Sequence, residues 1–136
     1  MVDKVQLELV TPSKLLFEME TDMVVVPGGD GDFGVLPGHA PLLSTLRPGT
    51  MAVYEGDKVS ERVFVAGGFA EVGDNRCVVL AEEAVPVAEI TSEMVTERLK
   101  EAQEKVAAAE TDKEKEDAEH GLKIAEAMGA GREAGA

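Results

Sequence analysis

A break in composition near Val87 divides the 136 residues into two unlike segments. All six prolines lie at or before Pro86, and all five aromatic residues lie before it as well. Beyond Val87 the chain consists mainly of Ala, Glu and Lys, which favour helix. The break predicts one domain over residues 1–87 and a separate helical segment over residues 88–136.

The first segment shows the alternation of short β-strands. "VQLELV" alternates apolar and polar residues, and "KLLFEME" places Leu15, Phe17 and Met19 on one face. Turn residues at 55–58 and 73–75 predict two hairpins. Turns as frequent as these predict a small β-sandwich or barrel.

The second segment shows the spacing of two helices joined by a short connection. Thr91 is the expected N-cap of the first helix, and Thr111 with Glu114 forms a capping box that starts the second. Apolar residues at helical spacing form a stripe along the hairpin: Val95, Leu99, Ala102, Val106, Leu122 and Ala125. Gly129 and Gly131 are expected to end the second helix and leave a frayed C-terminal tail. The prediction is an antiparallel two-helix hairpin.

Charge excludes several classes of partner. The chain has 27 acidic and 13 basic side chains, a formal net charge of −14. Because a chain with this net charge repels a nucleic-acid backbone and an anionic membrane surface, neither nucleic-acid binding nor direct lipid insertion is expected. No apolar run is long enough to span a bilayer, and "MVDKVQLELV" resembles a strand more than a targeting peptide.

The stretch "GDGDFGVLPGHAPLL", residues 29–43, allows three interpretations: a metal loop, a phosphate cradle or a shaped docking loop. The carboxylates are too few for a hard cation, and no Gly-Lys-Ser/Thr follows the glycines. Pro37 fixes its own φ, and Gly38 permits a left-handed conformation, so His39 is held at a stiff tip. From the residues alone, a structural corner and a docking feature are equally good explanations.

Catalytic and metal-binding residues are not evident. The two histidines share no ligand spacing, and no nucleophile motif is present. Cys77 lies in an apolar strand, where an inert buried thiol is expected. The sequence therefore predicts neither an enzyme nor a cofactor or metal site.

Two segments resemble the ε subunit of F-type ATP synthases, called δ in mitochondria. "GDFGVLPGHAPLLSTLRPG" is similar to the family signature, and "VFVAGGFAEV" with "CVVLAEEA" is similar to the segment that follows. The resemblance extends to about Met128. It implies a ten-stranded β-sandwich followed by a helical hairpin, within a fold that is mainly β plus α.

The resemblance also implies a non-catalytic rotor role. In the family, the sandwich links the γ subunit to the c ring of the proton-translocating enzyme, and the signature loop faces the ring. Asp32, Pro37, Gly38 and His39 match the positions of that loop. The absence of a transit-like sequence favours the bacterial form, peripheral on the cytoplasmic face of the energy-transducing membrane.

In much of the family, the hairpin reaches the catalytic head of α and β subunits and blocks ATP hydrolysis. Here the second helix carries more acids than bases, so an acidic stretch of the β subunit should repel it, and the hairpin is expected to inhibit hydrolysis weakly at most. The main alternative is a free-standing β-sandwich adaptor module whose hairpin is a dimerisation arm.

Overall fold

The computed structural model describes residues 3–135, which form ten β-strands followed by two helices. The strands are β1 (Val5–Thr11), β2 (Lys14–Thr21), β3 (Met23–Gly28), β4 (Gly31–Val35), β5 (Leu42–Leu46), β6 (Gly49–Glu55), β7 (Lys58–Val65), β8 (Gly68–Gly73), β9 (Arg76–Ala81) and β10 (Ala84–Pro86). A 3-10 turn at Val87–Glu89 leads to helices α1 (Ser92–Ala108) and α2 (Asp112–Gly135). Both predicted hairpin turns are confirmed, between β6 and β7 and between β8 and β9.

The ten strands form one sheet that curls into two layers. One layer has the order β10-β7-β6-β3, with β4 paired to the outer edge of β3, and the other has the order β5-β8-β9-β1-β2. All pairs are antiparallel except β1 with β9. This architecture confirms the predicted ten-stranded β-sandwich and hairpin.

The two layers are joined at Gly28, where β3 passes from one to the other. Gly28 pairs with Leu46 of β5, and hydrogen bonds from Gly29 N to Thr45 O (2.9 Å) and from Arg47 N to Pro27 O (3.0 Å) extend the joint. A Cβ on Gly28 would lie 2.9 Å from the ring of Phe33. Only glycine allows this close approach.

Alternate residues of both layers point inward and form the main core. It contains Val5, Leu7, Leu9, Val24, Val26, Val35, Leu46, Met51, Val53, Val63, Val65, Ala70, Val72, Cys77, Val79 and Ala81. Because side chains alternate along a strand, the same residues that predicted the strands also fill the space between the layers.

A second apolar cluster attaches the hairpin to the outside of the β3–β6–β7 layer. Phe64 is fully buried there, beneath Met128 of α2 and beside Val87 and Ile90. An aromatic side chain of this size buries roughly 150–250 Å². Phe64 therefore belongs to the joint between sandwich and hairpin rather than to the inner core.

An ion pair adds a second attachment between the hairpin and the sandwich. The Arg98 guanidinium of α1 donates two hydrogen bonds, 2.6 and 2.7 Å long, to the carboxylate of Glu83. These bonds hold the pKa of Glu83 below its ordinary value, against the opposing effect of desolvation. Two parallel hydrogen bonds of this kind fix the relative orientation of the two side chains as well as the distance between them.

The helices begin where the capping residues predicted. The Thr91 hydroxyl accepts from Met94 N at 3.1 Å, and the Thr111 hydroxyl accepts from Glu114 N at 3.1 Å. Of the predicted stripe, Ala102 and Ala125 are buried, whereas Val95, Leu99, Val106 and Leu122 are half-buried.

The predicted end of α2 is wrong. The helix does not stop at Gly129 but continues through Gly131 to Gly135. Both glycines lie at close contacts: a Cβ on Gly131 would collide with the Thr50 hydroxyl of β6, and one on Gly129 would lie 3.1 Å from Val95. Because packing against the sandwich stabilises the last turns, these glycines permit docking instead of ending the helix.

We expect Gly131→Gln to loosen the docked hairpin. The added side chain overlaps Thr50, and overpacking of this kind destabilises by about 1–3 kcal/mol. Amide hydrogen exchange across α2 should accelerate about tenfold or more. Gly121→Gln is the matched control, because no atom outside the helix lies within 4 Å of the added Cβ. Equal exchange rates in the two variants would contradict the role of Gly131.

Candidate protein-docking site

The loop between β4 and β5, residues 36–41, is the candidate site predicted from the sequence. His39 N donates to Leu36 O at 3.2 Å, which closes a tight turn around Pro37 and Gly38. Gly38 has a φ of +80°, the left-handed conformation that the sequence anticipated. The Leu36 side chain at the start of the turn is exposed.

A residue from another turn holds this loop in place. The Asn75 side-chain oxygen accepts a hydrogen bond from Gly38 N at 2.7 Å, and the Asn75 carbonyl accepts one from Gln6 N at 2.8 Å. Asn75 itself has a φ of +57°, which Asn tolerates better than most residues. Sequence reasoning missed this contact, because only the fold brings the β8–β9 turn beside the loop.

His39 is half-buried, and its ring orientation is fixed by its own backbone neighbour. Nδ1 lies 2.7 Å from the Ala40 carbonyl oxygen. A carbonyl only accepts, so Nδ1 is the donor in this contact. The loop therefore presents a defined hydrogen-bonding group.

Asp32 does not join this loop. It lies near the start of β4, whereas the loop follows the end of that strand, so about 10 Å separates Asp32 from Val35 at 3.3 Å per residue. The Asp32 carboxylate pairs with the guanidinium of Arg47, which also donates to Gly28 O at 2.7 Å. The sequence did not predict Arg47 as the partner of Asp32.

The outer face of the β5–β8–β9–β1–β2 layer carries a row of apolar side chains. Leu15 lies opposite Val10, Val10 opposite Leu80, and Leu80 opposite Phe69. Leu15 and Phe69 are each 51% exposed, and Leu80 is 45% exposed. We call these four residues the apolar row. A contiguous exposed patch of this kind marks a surface for another protein.

Leu15 joins this row because of a β-bulge. The register of β1 with β2 shifts between Leu9 and Val10, which turns Leu15 outward. The prediction that Leu15 shares a face with Phe17 and Met19 is therefore wrong, although those two residues do pack against the core.

Carboxylates border the apolar row. The adjacent row of the same face contains Glu18, Glu8, Val78 and Glu71, with the exposed Leu43 at its end. Arg76 offsets part of this charge by its ion pair with Glu8 at 3.1 Å. The face is thus apolar in one row and mostly acidic in the next.

Within residues 3–135 we find no grouping of three or more His, Cys, Asp or Glu that could hold a metal. Cys77 is buried, and burial raises the pKa of its thiol to about 11, so it is unreactive at neutral pH. None of the described helices is long and apolar enough to cross a bilayer. What the described residues offer is surface for contact.

A β-sandwich with a hairpin packed on one outer face and an exposed apolar row on the other defines a class of protein that offers surfaces for contact with other proteins. Residues 4–87 match the family model described as ATP synthase, delta/epsilon chain, β-sandwich domain. The chain belongs to this ATP synthase delta/epsilon family.

Individual relatives agree with the family model. The ATP synthase epsilon chain of Paramagnetospirillum magneticum is 53% identical over 96% of this chain and 98% of its own length. That of Rhodospirillum rubrum is 51% identical over 97% and 98%. A solved structure, the Euglena gracilis mitochondrial ATP synthase OSCP/F1/c-ring assembly, contains a chain with a TM-score of 0.79 and 28% identity, covering 96% of this chain and 82% of that one. The family predicted from the sequence is confirmed, and such a subunit is structural and regulatory rather than catalytic.

We expect Asn75→Gly to release the loop while leaving the turn intact. Glycine keeps the positive φ but lacks the oxygen that accepts from Gly38 N. Exchange of the Gly38 amide hydrogen should accelerate about fivefold to tenfold, as for a lost bond of roughly 1 kcal/mol. Asn75→Asp keeps an acceptor and should retain protection. If both variants exchange alike, Asn75 does not position the loop.

Proposed function

We propose that this chain is the rotor subunit that links γ to the c ring of a proton-translocating F-type ATP synthase. Its place is peripheral, on the cytoplasmic face of the energy-transducing membrane. The observation that carries the proposal is the asymmetry of the sandwich. The hairpin covers one outer face, and the other exposes the apolar row. A subunit between two partners needs free surfaces of this kind.

The apolar row is the proposed contact for γ. Exposed apolar side chains in contact across four strands offer the desolvated centre that stable interfaces use, and the carboxylate row beside it forms the polar rim. A complementary surface on γ would present apolar side chains flanked by Lys or Arg. Acid-to-base complementarity of this kind sets orientation as well as rate of association.

The loop at residues 36–41 is the proposed contact for the c ring. Its backbone is held by Asn75, so little ordering is needed when it binds. Asp32 lies near the start of β4 and His39 in the loop beyond its end, and the outer edge of β4 is unpaired within the described residues. We infer that they meet separate sites on the ring rather than a single one.

The docked hairpin supports a weak inhibitory role at most. Phe64, Met128 and the Glu83–Arg98 pair hold the helices on the sandwich, so the hairpin would have to leave the sandwich before it could enter a catalytic head. The exposed side of α2 carries more acids than bases, and an acidic partner would repel it. We propose that the hairpin serves assembly more than inhibition.

Phe69→Thr should weaken binding to isolated γ about tenfold or more, because aromatic residues at interface centres often contribute 2 kcal/mol or more. Phe69→Leu keeps the apolar contact and should lose much less. Since Phe69 is exposed, neither change should lower the melting temperature substantially. Equal affinities for γ in the two variants, measured by calorimetry, would place the γ contact elsewhere.

Gly38→Val should reduce the coupling of ATP synthesis to proton flow in reconstituted vesicles. No neighbouring atom meets the new Cβ, so the strain arises only from the φ of +80°. Gly73→Val is the matched control, since Gly73 is equally open and has no positive φ. Normal coupling in a fully assembled Gly38→Val enzyme would remove the loop from the ring contact.

Deletion of residues 92–136 should change ATP hydrolysis by the isolated catalytic head less than twofold. The deletion leaves Ile90 in place beside Phe64, so the sandwich keeps part of its cover. The like charges on α2 and an acidic partner are the physical reason for the small effect. A rise of fivefold or more would show that the hairpin is a strong brake.

A further inference from the structure

The arginines of this chain fall into two groups. Arg47, Arg76 and Arg98 each pair with a carboxylate, of Asp32, Glu8 and Glu83 respectively. Arg62 and Arg132 form no ion pair with any of residues 3–135, and both line the same open cavity of about 370 Å³. In a chain with twice as many acids as bases, two arginines of this kind in one place are unexpected.

The fold explains how these two arginines meet. Gly131 of α2 lies against Thr50 of β6, as its close approach to the Thr50 hydroxyl shows. Arg62 of β7 lies opposite Ala52, two residues along β6 from Thr50 and on the same face. Arg132 follows Gly131, so docking of the helix end brings its guanidinium to the cavity that Arg62 lines.

The charge around this cavity differs from that of other cavities on the molecule. Two arginines face one carboxylate, Glu61. Elsewhere, the cavity between the hairpin and β10 is lined by four carboxylates and two cations. The groove along α1 is lined by four carboxylates and one cation. The cavity beside the β1–β2 turn is lined by three carboxylates and one cation, and the cavity at the α1–α2 connection by two carboxylates and one cation. An anion is therefore attracted here and repelled at those four.

We propose that this cavity binds a phosphate group, held between Arg62 and Arg132. Guanidinium groups offer paired donors and a positive charge that match the oxygens of a phosphate. The partial negative charge at the end of α2 compensates Arg132 in part, whereas Arg62, on a strand, has no such compensation. A phosphate dianion would neutralise both.

The cavity walls indicate what else the ligand could carry. Val59, Val87 and Ile90 line the same space as the two arginines. Their side chains would accept a small apolar group attached to the phosphate. Because Arg62 belongs to the sandwich and Arg132 to α2, a bound phosphate would also connect the hairpin to the sandwich.

The test is titration of the full ¹⁵N-labelled chain with inorganic phosphate at constant ionic strength. We expect saturable amide shifts near Glu61, Arg62 and Ile90. Arg62→Gln and Arg132→Gln should each weaken binding about tenfold. Arg76→Gln removes the same charge on the opposite layer and should leave the affinity unchanged. Shifts that fail to saturate, or that respond equally to all three substitutions, would overturn the proposal and indicate only nonspecific ion attraction.

Titration with phenyl phosphate distinguishes an organic phosphate from free inorganic phosphate as the ligand. A higher affinity for phenyl phosphate than for inorganic phosphate, with added amide shifts at Val59 and Val87, would support an organic phosphate as ligand. Equal affinity would support free phosphate. Arg62→Gln keeps the test decisive if Arg132→Gln loosens the hairpin, because Arg62 is exposed on β7 and does not contribute to the second apolar cluster.

Discussion

The passage of β3 from one layer to the other at Gly28 is the constraint on which the sandwich depends. Gly28 is the only residue of β3 that pairs with β5, so this single backbone contact, with two flanking hydrogen bonds, brings the inner faces of the layers together. The close approach of Phe33 leaves no room for a side chain there. The Asp32–Arg47 pair lies at the same joint, because Arg47 also donates to the Gly28 carbonyl. Asp32 is therefore tied to the joint between the layers and not to the loop at residues 36–41.

The hairpin makes the two outer faces of the sandwich different. Phe64 is a large aromatic residue that is fully buried beneath α2, whereas Phe69 remains 51% exposed among the described residues. One outer face is therefore covered by the hairpin of the same chain, and the other is available for contact with another protein. The same docking brings Arg132 to Arg62, so the hairpin also creates a basic cavity that neither segment has alone.

Local patterns predicted most of the architecture. Period-two alternation and turn residues predicted short strands, and threonine caps predicted the helix starts, because these signals depend on near neighbours. The number of strands, ten, was implied by the family resemblance. What the sequence did not predict depends on residues far apart. Gly129 and Gly131 suggest a helix end until the close contacts with Val95 and Thr50 are known. Asn75 and Arg47 act on residues 37 and 15 positions away, and neither pairing has a local signal. The β-bulge that turns Leu15 outward likewise cannot be predicted from the alternation of apolar and polar residues.

The parallel pairing of β1 with β9 has a consequence for the order in which the chain folds. Gln6 aligns with Arg76, so β1 cannot pair with β9 until about 70 further residues have been synthesised. Contacts with this sequence separation slow folding, since a long loop must close before they form. During synthesis β1 can pair only with β2, as an isolated hairpin with little stability of its own. The edge of β1 that later pairs with β9 stays open in the nascent chain until β9 is synthesised.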